Sequence, residues 1–179
     1  MREFIIGGFG GQGIILMGMI LGKAATVFEG RFATMMQSFG PEARGGACMS
    51  QVILSDAPIA YPYVRSADVG IFMNQESWER YAERLKPEAM LITNADLVSP
   101  GGRAQARSSY AVAANTIAEE LGRAMVANIV MTGFVAAVTR VADSEAIKSA
   151  IADTVRKDTI ELNLKAFDQG FEAGLNAIK

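Results

Sequence analysis

Glycine dominates a stretch near the start of the chain that reads GGFGGQG over residues 7–13 and follows the apolar residues 4–6. The stretch fits the pattern G-x-G-x-x-G, which between a strand and a helix leaves backbone N–H groups free to bind a phosphate. A structural turn that needs positive φ also explains the glycines. The candidate anion-binding residues of this first loop are Gly8, Gly10, Gly11, Gln12 and Gly13.

A dinucleotide site of the Rossmann type needs one more residue, an acid about 20 positions further on, which binds the ribose at the end of the second strand. That strand is expected at residues 33–37, and Ser38 follows it where the acid would stand. Glu29 and Arg31 both precede the strand. The sequence therefore gives little support to a free-standing NAD(P) site, and binding of another phosphate or anion stays open.

A second loop reads SFGPEARGGA over residues 38–47. Its charged residues, Glu42 and Arg44, would by themselves fit an exposed ion pair of little energetic weight. Because a doubly wound sheet gathers its strand ends around one crevice, we expect this loop to face the same space as the first. Its candidate contact residues, for an anion or for a partner chain, are Gly40, Pro41, Glu42, Arg44, Gly45 and Gly46.

Two residue types that serve many active sites are scarce, since the chain has no histidine and Cys48 is its single cysteine. It therefore cannot supply a Ser-His-Asp or Cys-His nucleophile, a Cys/His zinc site or a four-cysteine iron–sulfur cluster. A net charge of −2 gives no basic footprint for nucleic acid. The lone cysteine, expected to be a buried small hydrophobe, fits a reducing compartment, and we expect a cytoplasmic protein without a membrane span.

The elements that must position these loops alternate between short apolar strands and longer helical segments. This order predicts a single Rossmann-like α/β domain over residues 1–179, a three-layer fold whose mostly parallel sheet is flanked by helices. Strands are expected at residues 4–6, 33–37, 48–55, 69–73, 90–93 and 110–112, with 59–61 as a possible hairpin strand. Helices are expected at residues 14–28, 76–86 (ended by Pro87), 126–138 and 159–178, with a further helix capped by Ser144.

The two loops, in this order and spacing, closely resemble those of the gamma subunit of 2-oxoacid:ferredoxin oxidoreductases, a unit that is also fused into single-chain pyruvate:ferredoxin oxidoreductases. The likeness continues through VILSDAPIAYP at residues 52–62 and AFDQGFEAG at residues 166–174, so it covers nearly the whole chain. Within this family the second loop looks most like the 2-oxoglutarate type, with the branched-chain 2-oxoacid type next.

The resemblance implies a subunit of an enzyme that oxidatively decarboxylates a 2-oxoacid with coenzyme A, giving an acyl-CoA, CO2 and reduced ferredoxin. It also implies that thiamine diphosphate, Mg2+ and the iron–sulfur clusters lie on alpha, beta and, where present, delta partner subunits. This chain would then hold no cofactor or metal of its own, supply no catalytic residue and be inactive alone.

The role of the two loops has two readings under this resemblance. They are expected to help close the active site, either by contacting coenzyme A as a shared substrate or by forming only the interface with the partner subunits. A stand-alone NAD(P)-binding oxidoreductase and a non-enzymatic nucleotide- or CoA-binding module are the alternative functions.

Overall fold

The chain folds around one mixed sheet in a computed structural model that describes residues 1–40, 46–101 and 108–179. The strands are β1 (Arg2–Phe9), β2 (Phe32–Phe39), β3 (Ala47–Ser55), β4 (Ala67–Phe72), β5 (Leu85–Asn94) and β6 (Ser109–Val112). Within the described residues they form a sheet in the order β2-β3-β1-β4-β5-β6. The pairs β1–β4, β4–β5 and β5–β6 are parallel, whereas β3 is antiparallel to both β1 and β2.

Helices cover both faces of this sheet unequally. They are α1 (Ile14–Lys23), α2 (Gln75–Tyr81), α3 (Ala114–Glu120), α4 (Ala127–Thr139), α5 (Ser144–Ala152) and α6 (Ile160–Ala177). Helix α1 continues into a π-helical segment, Ala24–Phe28. The larger apolar core joins one sheet face to α1, α3, α4, α5 and α6. The smaller core lies on the other face, where Trp78 of α2 packs edge-on against Phe72 with ring centroids 5.4 Å apart.

Helix α4 is buried along its whole length and is fixed by close packing against α6. A side chain at Gly170 would overlap the Val130 carbonyl, and one at Gly133 would overlap the Phe167 carbonyl. These glycines let the two backbones touch, so the position of α4 and of its first residues is tightly determined. Among the residues described, no helix is long and apolar enough to cross a membrane.

The α/β architecture with a mostly parallel sheet is confirmed. The sheet also contains an antiparallel hairpin, but the strand that pairs with β3 in it differs from the one expected. The hairpin joins β2 to β3. The strand expected at residues 59–61 is wrong, because residues 56–66 form no strand. Strand β3 already has β2 on one side and β1 on the other, which leaves no free edge for a further partner.

Two further expectations need correction. The helix expected at residues 76–86 ends at Tyr81, apart from one 3₁₀ turn, and Pro87 lies inside β5. The register between β4 and β5 shifts at this point, and a bulge tolerates proline because no ladder hydrogen bond is required there. Helix α5 does begin at Ser144, but its cap is Asp143, whose carboxylate accepts the Glu145 N–H at 2.8 Å.

Candidate functional site

The first loop lies at the carboxyl end of β1 and is joined there to the second loop. The Gly10 N–H donates to the Gly46 carbonyl at 2.9 Å. The Gly40 N–H donates to the Ala47 carbonyl at 2.7 Å, so the two described ends of the second loop meet where β3 begins. The loops are therefore neighbours, as expected, although β3 separates the two strands that carry them.

Four of the candidate residues in the second loop lie outside the described residues: Pro41, Glu42, Arg44 and Gly45. Their assignment as contact residues stays a prediction. The described part of the site is thus the first loop with Gly40, Gly46 and the elements that surround them.

The glycines of the first loop meet distinct local demands. Gly11 and Gly13 have φ of 100° and 76°, which L side chains rarely adopt. A side chain at Gly8 would overlap the Ile14 side chain and come within 2.8 Å of Gln12 Oε1, so this position requires glycine for space. Nothing lies within 4 Å of the Cβ position at Gly11, so this turn presents a bare, exposed backbone.

Gln12 is held in one orientation by its carbonyl oxygen. That oxygen accepts the Phe9 N–H at 2.7 Å and the Asn74 Nδ2–H at 3.1 Å. The amide nitrogen has only one long contact, 3.5 Å to the Met73 carbonyl. Since the oxygen is occupied, Gln12 presents its donor side to the space beyond the loop.

A cavity of about 220 Å³ opens beside this amide. No charged side chain lines it among the residues that the structure describes. Its lining comes from the first loop, the end of β4 and the starts of α3 and α4: Gly11, Gln12, Met73, Asn115, Ala124, Met125, Ala127 and Asn128.

Asn115 enters the cavity from the start of α3 with its orientation fixed by Asn94. Asn94 Oδ1 accepts the Ala114 N–H at 3.2 Å, which leaves Asn94 Nδ2 to donate to Asn115 Oδ1 at 2.7 Å. With its oxygen occupied in this way, Asn115 keeps its NH2 group as a donor for the cavity. The Asn94 side chain is fully buried and serves as the support for this arrangement.

Asn128 enters from the first turn of α4. It is only 4% exposed, and its amide stands where a side chain at Gly13 would be. Asn128 lines the cavity, and its backbone carbonyl accepts the Thr132 hydroxyl at 2.8 Å. Sequence reasoning missed both Asn115 and Asn128. No motif or spacing in the sequence singles out either residue.

Four helices begin near this end of the sheet, and in two of them a side chain accepts the first N–H groups. Asn74 Oδ1 accepts the Ser77 N–H of α2 at 2.8 Å. Asp96 accepts the Asn115 and Thr116 N–H groups of α3 at 2.8 and 3.0 Å. Helices α1 and α4 have neither a side-chain cap nor an acidic residue in the first turn.

Cys48 lies directly behind the first loop, paired with Gly8 across β3 and β1. It is 3% exposed, and burial raises the pKa of its thiol above the ordinary value. The thiol is therefore protonated at neutral pH and packs as a small apolar group, as the sequence predicts. Among the described residues no group of three or more His, Cys, Asp and Glu side chains is placed to hold a metal ion.

Comparison with known proteins places the chain in a family. The family model described as pyruvate ferredoxin/flavodoxin oxidoreductase matches residues 3–173. The 2-oxoglutarate synthase subunit KorC of Methanocaldococcus jannaschii is 40% identical over 173 residues, which is 96% of this chain and 92% of that protein.

Solved structures agree with the sequence relatives. The gamma subunit of a keto/oxoacid ferredoxin oxidoreductase from Geobacter sulfurreducens superposes with a TM-score of 0.85 at 38% identity, covering 99% of this chain and 100% of that one. The 2-oxoglutarate:ferredoxin oxidoreductase of Magnetococcus marinus, solved with 2-oxoglutarate, coenzyme A and succinyl-CoA, gives 0.88 at 22% identity. It shares the fold over 97% of this chain and 31% of its own. The chain therefore belongs to the pyruvate ferredoxin/flavodoxin oxidoreductase family and aligns with a gamma subunit along nearly its whole length.

Proposed function

We propose that the chain is the gamma subunit of a 2-oxoacid:ferredoxin oxidoreductase that acts on 2-oxoglutarate, with its two loops helping to close the active site over coenzyme A. In this role the chain supplies binding contacts but no catalytic residue. Thiamine diphosphate, Mg2+ and the iron–sulfur clusters belong to the alpha and beta subunits and, where present, a delta subunit. The identity to 2-oxoglutarate synthase subunits supports the choice of substrate.

The observation that carries this proposal is the hydrogen bond from Gly10 to Gly46, which ties the two loops into one surface. Gly10 and Gly11 are exposed on that surface, and bare backbone can approach a phosphate or a partner chain closely. Helix α1 also begins there with neither a side-chain cap nor an acidic residue in its first turn, so unpaired N–H groups and a positive dipole end lie next to the loops. A lid over an anionic substrate needs these properties.

The geometry does not favour the alternative of a stand-alone dinucleotide enzyme. In the dinucleotide fold the second strand lies beside the first, so that an acid at its end reaches the ribose. Here β3 lies between β1 and β2, and β2 ends at the exposed Phe39. Titration of NADH and NADPH against the pure chain tests this reading, and micromolar binding would favour the dehydrogenase.

Reconstitution tests the proposed function directly. The purified chain is assayed for CoA-dependent reduction of ferredoxin with 2-oxoglutarate, first alone and then with the alpha and beta subunits of the same cell. We expect no turnover from the chain alone and full turnover only when it is added to its partners. Turnover by the isolated chain, or no effect of adding it, overturns the proposal. Affinity purification from the native cell gives an independent check through the identity of the companion chains.

A further inference from the structure

The sheet has two edges, and the chain treats them differently. An exposed edge strand presents a row of backbone N–H and C=O groups, which pairs with another strand unless the edge is short, bent or charged. At one edge, β6 has only four residues, Ser109–Val112. At the other edge, β2 has eight residues, Phe32–Phe39. The longer edge is therefore the one that needs protection.

Strand β2 has none of the features that protect an edge. Residues 32–39 include no charged residue and no proline. All eight pair with β3 in an unbroken register, so no bulge bends the strand away from a partner. Every residue of β2 is at least partly exposed, and in the described part of the chain β3 is the only strand beside it. The outer side of its backbone is thus ready to pair.

The surface that flanks this edge is apolar. Phe32 and Phe39, at the two ends of β2, are 43% and 65% exposed. A groove of about 370 Å³ lies between α1 and β2, with Met19 and Met35 in its lining. Exposed apolar side chains that cluster in this way are typical of a surface that another protein covers.

Two cations border the edge, and both are matched within the chain. Lys23, which lines the groove, contacts Asp153 at 2.6 Å. Arg31, directly before β2, contacts Glu29 at 3.1 Å and Asp56 at 2.8 Å. The surface therefore suits an uncharged strand as its partner, since a charged one would be desolvated there without a counter-charge.

The strand that meets this requirement within the protein is β2 of a second copy. Two copies of one strand pair antiparallel around a two-fold axis, which is the commonest symmetry of homo-oligomers. Residues directly opposite in such a pair point to the same face of the sheet, and side chains alternate between the faces. The numbers of opposite residues must then differ by an even number, so an axis at the centre of β2 passes through Met35 or Met36.

We infer that two copies of this chain associate through β2, paired antiparallel around an axis at Met35 or Met36. The two sheets then form one continuous sheet, with six strands from each copy. A stable interface buries roughly 800 Å² from each partner, so the exposed phenylalanines and the groove beside β2 lie in the contact together with the strand.

This arrangement leaves the glycine loops accessible. Strands β1 and β2 run in the same direction, because each is antiparallel to β3. Antiparallel pairing of β2 therefore points the carboxyl ends of the parallel strands of the two copies in opposite directions. The inference goes beyond the proposed function and is compatible with it, since each copy presents its own loop surface.

Sedimentation equilibrium of the full chain over a range of concentrations tests the association. We expect a monomer–dimer equilibrium in the original chain. In either register Met36 lies within about 8 Å of its counterpart, so Met36→Lys places two like charges close together. We expect this variant to raise the dissociation constant of the dimer by at least about tenfold.

Ala111→Lys, at an exposed position of the other edge strand, is the matched control. It adds the same charge to β6 and should leave the dissociation constant unchanged. Thermal unfolding of both variants separates loss of association from loss of the fold.

Cross-linking tests the register. The axis residue faces its own copy directly, at a Cα–Cα distance of about 4.5–5.5 Å that permits a disulfide. We therefore expect one of Met35→Cys and Met36→Cys, but not both, to form a covalent dimer under mild oxidation. Ala111→Cys should form none, and the native Cys48 is buried.

Three results overturn the inference: a chain that stays monomeric at every concentration, a dimer that a folded Met36→Lys variant does not weaken, or one that Ala111→Lys weakens equally. A monomer whose β2 amides become protected from hydrogen exchange only when the alpha and beta subunits are added assigns the edge to a partner chain instead. Failure of the proposed function remains distinguishable. A dimer that restores no turnover to the partner subunits contradicts the function alone, and a monomer that restores it contradicts the inference alone.

Discussion

The two ends of the parallel strands use polar residues in opposite ways. At the amino end, Lys86 pairs with Asp68 at 2.5 Å and with Glu3 at 3.6 Å, and the Glu3 N–H donates to Asp68 at 2.8 Å. At the carboxyl end, the polar side chains that line the cavity are the neutral amides of Gln12, Asn115 and Asn128. Charges at one end are matched within the chain, whereas donors at the other end are supported by the chain and left unmatched.

Under the proposed function, this difference marks a binding surface without using a charged residue. Gln12 and Asn115 are each turned by a second amide, Asn74 and Asn94, that occupies their oxygens. Such support fixes a donor in place before any ligand arrives, so little orientational freedom is lost on binding. Ion pairs at the amino end stabilise only the strand ends that they join.

The largest effect is expected from Gly13→Ala at the carboxyl end. Alanine at a φ of 76° is strained, and its Cβ would also displace the Asn128 amide. We expect the strain and the displacement together to lower the free energy of unfolding by roughly 2–4 kcal/mol, measured by denaturant titration.

Gly11→Ala is the matched control for this change. Its φ of 100° is also strained, but its Cβ would meet nothing within 4 Å, so the loss should be roughly 1–2 kcal/mol. Equal losses of stability in the two variants would mean that the Asn128 side chain moves aside at no energetic cost and is not held against Gly13. Removing the amide with Asn128→Ala should bring Gly13→Ala closer to Gly11→Ala.

An intermediate effect is expected from Asn74→Ala, which removes both the cap of α2 and the support of Gln12. We expect a loss of about 1–2 kcal/mol in stability together with weaker binding of coenzyme A, since Gln12 can then rotate its oxygen toward the ligand.

Asp143→Ala removes the cap of α5 far from the cavity and should lower stability by about 1 kcal/mol without changing affinity. Calorimetric titration of both variants with coenzyme A checks this difference. An Asn74→Ala variant that binds as tightly as the original chain would show that Gln12 needs no support.

The smallest effect is expected at the amino end from Lys86→Met. The side chain is one third exposed, so the two ion pairs should contribute only about 0.5–1 kcal/mol. The hydrogen bond to Asp68 raises the pKa of Lys86, so this stability is complete below the unfolded pKa of lysine, about 10.4, and is lost as the pH rises through the folded value.

Unfolding curves at pH 8 and at about pH 11 measure the contribution of Lys86. The original chain should be more stable than Lys86→Met at pH 8 and should approach it at the higher pH. Coenzyme A affinity at pH 8 should be the same for both, and a change there would contradict the separation between the two ends of the sheet.

Much of the fold was accessible from the sequence because local patterns decide it. The run before the first glycine loop, the apolar segment of α4 and the stripe of α6 were each predicted within a few residues. The hairpin of β2 and β3 was assigned the wrong partner strand, although the seven residues 40–46 between them are too few for a parallel crossover. The end of α2 was predicted at the wrong residue because of Pro87, since a proline ends a helix but is also tolerated at a bulge in a strand.

The candidate site was accessible only in part. The glycine pattern identified the first loop, because glycine is required where φ is positive or space is absent. The contributions of Asn115 and Asn128 were not visible, since these residues lie more than 100 positions from the loop and an isolated asparagine has no distinctive spacing. Asn74 and Asn94 each stand at the end of a strand, but their role in turning other amides depends on contacts that no spacing predicts.

The sequence by itself determined that these residues cannot form a histidine-dependent nucleophile, a Cys/His zinc site or a four-cysteine iron–sulfur cluster, because they include no histidine and one cysteine. It also determined where the backbone must be bare. The tertiary structure alone decided which ends of the elements meet and which of their donors are already satisfied. The reason is physical: a hydrogen bond is a distance and an angle between groups remote in sequence, and only packing fixes those.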